Sequence, residues 1–115
     1  MSPPGSVAVM ARRIVVINPN SSERITDGIR SAVAADDVTV VTSPKGPQAI
    51  ESDADVLASI GPLLATAADH PATAYVVACF SDPGLDQLKV ATGVPTFGIA
   101  ESAMRTAAIL GGRIG

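Results

Sequence analysis

Tryptophan is absent from this 115-residue chain, cysteine, histidine and tyrosine occur once each, and aromatic residues make up 3% of it. Each scarcity excludes something. One cysteine cannot close an intramolecular disulfide and suits a reducing compartment, so a cytoplasmic protein is expected. One cysteine with one histidine is a poor donor set for protein-bound zinc, and no metal is expected. Basic residues are outnumbered 8 to 11, the formal charge is -3, and no basic cluster occurs. Nucleic acid and anionic membrane are therefore not expected as partners. No apolar run approaches the roughly 20 residues of a membrane span. In "MSPPGSVAVMARR" the arginines follow the short apolar stretch, the reverse of a secretory signal. No Gly-x-Gly-x-x-Gly follows the first apolar run and no P-loop is present, so nothing supports a nucleotide cofactor.

What is present is a folded composition, 47% apolar and 17% charged, at the length of one domain. Four short β-branched runs recur: "RIVVIN" (Arg13 to Asn18), "VTVVT" (Val38 to Thr42), "AYVVACF" (Ala74 to Phe80) and "VPTFGI" (Val94 to Ile99). Their hydrophobicity is nearly continuous rather than alternating, as in strands covered on both faces of a parallel sheet. Between them lie helical patterns. Ile25, Ile29, Ala32 and Val33 form one stripe. Ala54, Leu57, Ala58, Gly61, Leu64, Ala65 and Ala68 form a second, which Gly61-Pro62 is expected to kink or divide. Leu85 and Leu88 begin a short third helix, and Ala103, Met104, Ala107, Ala108 and Leu110 mark a fourth. Asn20 with Glu23 resembles a capping box, and Asp82-Pro83 reads as an N-cap before a proline at the first helical position. The fold expected is α/β, a parallel four-stranded sheet flanked by helices with right-handed crossovers.

Residues 1–12 are expected to form a flexible segment ahead of the domain at 13–115. At the other end, "ILGGRIG" closes a helix and Arg113-Ile114-Gly115 resembles the start of a further strand, which reads as a domain stopping short of a second one. A flexible tail is the plainer alternative.

In an open parallel sheet, sites form at the carboxyl ends of the strands. Two polar turns fall there, "NPNSS" (Asn18 to Ser22) and "CFSDPG" (Cys79 to Gly84), each leading into a helix start that favours an anion. A lone cysteine is more often a small core hydrophobe than a nucleophile. Its place at a strand's carboxyl end, before a polar turn and a helix start, supports a reactive thiol equally. Residue chemistry alone leaves both readings open. A Cys-x5-Arg phosphatase loop is absent, since Leu85 stands where the arginine would be. His70 lies at the opposite end of the same strand, about 30 Å away at strand rise. It cannot serve as a base to Cys79 and is expected in an exposed loop. Asn20 and Ser21 have ordinary turn roles. "SPKGPQAIES" (Ser43 to Ser52) is either a lid beside the site or a solvated connection, and Glu101 reads as a helix-start acid.

Together, "VVINPNSSERIT", "GPQAIESDADVLASIGPLL", "AYVVACFSDPGLDQLK" and "VPTFGIAESAMRTAAILG" resemble the amino-terminal half of hydantoin racemases, of the aspartate/glutamate racemase superfamily and close to allantoin racemase. The likeness runs from about Arg13 to the last residue. It implies proton transfer at a carbon next to a carbonyl, without a cofactor, on a small-molecule substrate such as a hydantoin, allantoin or an amino-acid derivative. It also implies two cysteines, one on each face of the substrate. Cys79 matches the first. Asn18 matches the asparagine of the pocket-lining turn, and Phe80, Ser81 and Asp82 match the segment that holds the substrate's oxygens. The family's second cysteine has no counterpart here, and family members are about twice as long with a second α/β domain. A homo-oligomer in which two copies each bring Cys79 is one way to complete such a site. A non-catalytic small-molecule binding or interaction domain derived from the family is the competing expectation. A one-base decarboxylase or cis–trans isomerase is a third, weakened because neither site turn carries an arginine.

Overall fold

The computed structural model describes residues 11–33 and 35–110. The flexible segment expected at the amino terminus falls, apart from Ala11 and Arg12, outside the described residues, as does the strand start expected at Arg113. Strands and helices alternate: β1 (Ile14–Asn18), α1 (Glu23–Ala32), β2 (Val38–Thr42), α2 (Asp53–Asp69), β3 (Ala74–Val77), α3 (Leu85–Thr92), β4 (Thr96–Gly98) and α4 (Ile99–Ile109). The strands form one parallel sheet in the order β2-β1-β3-β4. This is the expected α/β class. The chain steps from β1 to β2 on one side and returns past β1 to reach β3 on the other. The switch point therefore lies between β1 and β3, where ligands of such sheets bind.

One face of the sheet is closed. Val15 and Ile17 of β1 and Tyr75 and Val77 of β3 pack against Leu63 and Ala67 of α2 and Leu85 and Leu88 of α3. Full burial of side chains of this size contributes about 1.5–3 kcal/mol each, so this cluster dominates the fold's stability. The alanine-rich stripe expected to face the core from α2 does not do so. Ala54, Leu57, Ala58, Gly61, Ala65 and Ala68 are exposed, and Ser59, Leu63, Thr66 and Ala67 are buried instead. Ser59 and Thr66 can be buried because each hydroxyl donates back to a carbonyl of its own helix, Val56 at 2.7 Å and Pro62 at 2.8 Å. Pro62 does not divide the helix, which runs unbroken for 17 residues with Leu63 and Ala67 anchored on the sheet.

The opposite face is open. Ile14 and Val16 of β1, Val76 and Ala78 on the β3 side, and Ile25 and Ile29 of α1 line an apolar groove of about 660 Å3. Thr26 is the one buried residue of α1, and α4 has none. Phe80, which lines this groove, is 80% exposed.

Candidate functional site

β1 and β3 are neighbours in register, Ile17 beside Val77, so the turns that follow them leave the sheet side by side. The first turn is organised by Asn18, which is 1% exposed. Its amide nitrogen donates to Asn20 Oδ1 at 2.8 Å, Thr26 Oγ1 at 3.1 Å and the Ser22 carbonyl at 3.2 Å, and its Oδ1 accepts from the Asn20 N–H at 3.1 Å. Thr26 Oγ1 in turn lies 2.6 Å from Thr42 Oγ1 on β2. Asn18 therefore fixes the turn against α1 and β2 from inside, and its side chain is engaged within the protein. The capping box expected at Asn20 and Glu23 is not formed. The N-cap is Ser22, whose hydroxyl accepts from the Ile25 N–H at 3.3 Å, because Asn20 Oδ1 is already taken by the N–H of Ser22 and the Asn18 amide. A complete capping box occurs elsewhere, between Ser52 and Asp55 at the start of α2.

The second turn carries the thiol. β3 ends at Val77, three residues earlier than the sequence suggests, because its partner β4 ends at Gly98 opposite Val77. Ala78 still donates to the Ile17 carbonyl at 2.9 Å, and then the chain turns, the Cys79 carbonyl accepting from the Asp82 N–H at 2.9 Å. Cys79 is half-buried, at the mouth of the apolar groove, with Sγ 3.3 Å from the Ser81 hydroxyl. Phe80 and Ser81 are exposed. Among the described residues no acceptor takes the backbone N–H of Phe80 or of Ser81. A thiol beside a hydroxyl and two unengaged N–H donors can exchange a proton with a bound carbon acid and hold the oxygen on which negative charge develops.

Asp82 does not cap α3. That helix starts at Leu85 behind Gly84, which is left-handed at φ 71° and offers no side chain. Asp82 itself is left-handed, at φ 46°. Its carboxylate crosses to the last helix, accepting from the Ala100 N–H at 3.0 Å and the Glu101 N–H at 2.8 Å. These are the donors an N-cap side chain normally takes, and α4's own N-cap, Gly98, has none to give. A left-handed non-glycine residue costs on the order of 1–3 kcal/mol. Two hydrogen bonds to an ionised carboxylate contribute about 1.5–3 kcal/mol each, so the cap outweighs the strain. Gly98 belongs to the same arrangement, because a Cβ there would overlap the Asp82 carboxyl group. Sequence reasoning missed this residue. The available signal was a helix starting at "GIAES" with no Ser, Thr, Asp or Asn where its cap should stand.

Other expected residues fall into place around these two turns. The Ser43–Ser52 connection packs on the first turn: Ser21 N–H donates to the Pro47 carbonyl at 2.9 Å, and a Cβ on Gly46 would sit 2.5 Å from the Pro19 carbonyl oxygen. Glu101 has its N–H held by Asp82 and its carboxylate near Lys89 at 3.5 Å and Arg105 at 3.9 Å. His70 is not an exposed loop residue. It is the half-buried C-cap of α2, its Nδ1 lies 2.9 Å from the Thr66 carbonyl, and its own carbonyl accepts from the Tyr75 hydroxyl at 2.8 Å. It stands at the amino end of β3, away from Cys79. No three His, Cys, Asp or Glu side chains among the described residues are grouped to hold a metal, and no described helix is long and apolar enough to cross a membrane.

The family model for Asp/Glu/hydantoin racemases matches residues 14–115. The chain belongs to that family. Among racemases, the hydantoin racemase of Paenarthrobacter aurescens is 39% identical over 101 residues, which cover 80% of this chain and 43% of the relative. That of Pseudomonas sp. (strain NS671) is 38% identical over 109 residues, 88% of this chain and 44% of the relative. The solved structure of an allantoin racemase from Klebsiella pneumoniae matches with a TM-score of 0.75 at 32% identity, over 86% of this chain and 44% of that one. This racemase-family chain thus spans less than half the length of the curated relatives it matches. Its sheet and helices agree with the fold of the structural neighbour.

Proposed function

We propose that this chain provides one half-site for cofactor-independent racemisation of a 5-substituted hydantoin or a related amino-acid derivative, with Cys79 as acid/base. The observation that carries the reading is the second turn: a half-buried thiol at the sheet's switch point, 3.3 Å from the Ser81 hydroxyl and next to unengaged N–H groups of Phe80 and Ser81. As thiolate, Cys79 takes the proton from the carbon next to the carbonyl, and the electron pair passes to the carbonyl oxygen. The donors of Phe80 and Ser81 face that oxygen, and a proton returned from the opposite face inverts the centre. Asn18 and Asp82 shape the walls by fixing the two turns. The second proton donor comes from a second domain or from the Cys79 of a second copy. The protein acts on a small molecule in the cytoplasm.

A second reading, a binding domain without catalysis, draws support from the single cysteine of the chain. One experiment separates them: deuterium uptake at C5 of an enantiopure 5-substituted hydantoin in D2O, with Cys79→Ala beside the wild type. Uptake with inversion that disappears in the variant supports the two-thiol site, and uptake with retention supports a single working base. Equal rates for wild type, variant and buffer would sink catalysis by this chain and favour the binding domain.

A further inference from the structure

We propose that Asp82 is a positioning residue: by capping α4 from outside that helix it holds the Cys79 turn in the shape that presents the thiol, and Gly98 is the space that lets it do so. This rests on the reading of Cys79 as the working group of the half-site. Cys79 and Asp82 are the two ends of one tight turn, joined by the 2.9 Å bond from the Asp82 N–H to the Cys79 carbonyl. Whatever fixes Asp82 therefore fixes the thiol's backbone. Both carboxylate oxygens are bonded to consecutive N–H groups of α4, a contact spanning 18 and 19 residues of sequence. The left-handed backbone of Asp82 aims the carboxylate there, and no shorter route to a cap exists, since Gly98 carries no side chain. Behind the turn, Pro83 is fully buried and Gly84 lies against Leu63, where a Cβ would come within 2.8 Å of that side chain. The turn is thus clamped at its carboxyl end by the closed core and at Asp82 by α4. Cys79, Phe80 and Ser81 project from the sheet between these clamps and the 2.9 Å bond from the Ala78 N–H to the Ile17 carbonyl. Without the carboxylate, Asp82 loses the bonds that offset its left-handed conformation, and the segment carrying Sγ and the two unengaged N–H groups is free to rotate.

The single cysteine makes the test direct: the second-order rate of iodoacetamide alkylation at one pH, for the folded chain and for the same chain unfolded in urea. Asp82→Gly accepts φ 46° without strain and removes the carboxylate, but it also loosens the backbone, so it is read together with Gly98→Ala and Asp82→Asn, which keep a side chain at position 82. Asp82→Asn keeps one acceptor oxygen, and Gly98→Ala forces the carboxylate away while leaving it in the chain. Ala103→Gly weakens the exposed part of α4 without touching the cap. The expected result is a change of at least about fivefold in the folded-state rate for Asp82→Gly and Gly98→Ala, a smaller one for Asp82→Asn, and none for Ala103→Gly. In amide spectra the signals of Ala100 and Glu101 should shift in the first three. Folded-state rates within about twofold of wild type for Asp82→Gly and Gly98→Ala would overturn the proposal, as would an equal change in Ala103→Gly, which would reduce Asp82 to general support of α4. If Gly98→Ala does not fold, the comparison of Asp82→Gly and Asp82→Asn with Ala103→Gly decides. No racemisation is read here, so a wild type that fails to exchange C5 protons would refute the functional reading while leaving these rates to judge the cap.

Discussion

On one side of the sheet, Val15, Ile17, Tyr75 and Val77 are all but sealed beneath α2 and α3, and every large side chain there has an apolar partner. On the other, Ile14, Val16, Val76 and Ala78 come from the same two strands and their continuation, yet they line an open groove that α1 and α4 only flank. Hydrophobicity does not separate the two sides, since both are built mainly from β-branched strand residues, with Tyr75 on the closed side and Ala78 on the open one. What separates them is whether a helix presents matching apolar volume. The closed side carries the stability. The open side carries Cys79 and Phe80, so the thiol lies apart from the buried cluster that holds the fold together.

That contrast is exposed first by truncating the closed side. Leu63→Ala removes a fully buried side chain beneath the sheet and should cost about 2–5 kcal/mol, read as a drop in the urea midpoint at unchanged slope. A loss below 1 kcal/mol would show that the closed face is not the main source of stability.

The next largest effect belongs to Tyr75, whose hydroxyl donates to the carbonyls of Ala67 at 2.9 Å and His70 at 2.8 Å beneath the sheet. Tyr75→Phe removes the one proton that these carbonyls share, while the Ala67 carbonyl keeps the His70 N–H at 3.1 Å, and should cost about 1–3 kcal/mol. Burial pushes this phenol above its ordinary value of 10.0. The unfolded chain therefore ionises first, and stability that is intact below about pH 10 falls as pH rises through the folded-state value. Tyr75 is the only tyrosine, so phenolate absorbance follows it alone. Ionisation midway through its ordinary range, ahead of unfolding, would contradict this.

A smaller change is expected at the cap of α2. Ser52→Ala should cost about 1 kcal/mol. The neighbouring Asp55 carboxyl is held below its ordinary value, chiefly by the backbone N–H of Glu51 and then by Ser52. A depressed folded-state value means that its contribution is present above the unfolded value and lost as pH falls through the folded one. The difference between wild type and Asp55→Asn should therefore shrink on acidification. A difference that stays constant with pH would rule the carboxylate out.

The smallest change tests the open side. Phe80→Ser alters an 80% exposed residue and should leave the unfolding free energy within about 0.5 kcal/mol of wild type, while binding of an apolar dye decreases. A large destabilisation would mean that the groove is closed in solution.

The sheet and the order of its elements were legible because continuous β-branched runs separated by helix-length segments leave few alternatives. The resemblance to hydantoin racemases was equally legible, since "INPN", "ACFSDPGLD" and "GIAESAM" stand in order at fixed distances. The buried face of α2 was not. Serine and threonine count as polar in a stripe, yet Ser59 and Thr66 satisfy their hydroxyls on their own helix and go inside. The strand ends were misjudged by a few residues because apolarity continues past Val77 and begins before Thr96, while pairing stops where the shorter neighbour stops. The role of Asp82 was hidden for another reason. A residue beside a proline reads as a local cap, and the helix it serves lies 18 residues away.

The same carboxylate has a consequence for the order in which the chain acquires its shape on the ribosome. β1 and β2 can pair once residue 42 has emerged, and β3 can dock on β1 once residue 77 has. The grip of Asp82 has nothing to close on until residues 100 and 101 exist and have begun to coil. At about 5–20 residues per second, that leaves the thiol turn without its clamp for roughly a second or more after its own synthesis. The turn that bears Cys79 is therefore set late in the maturation of this segment, after the sheet from which it projects.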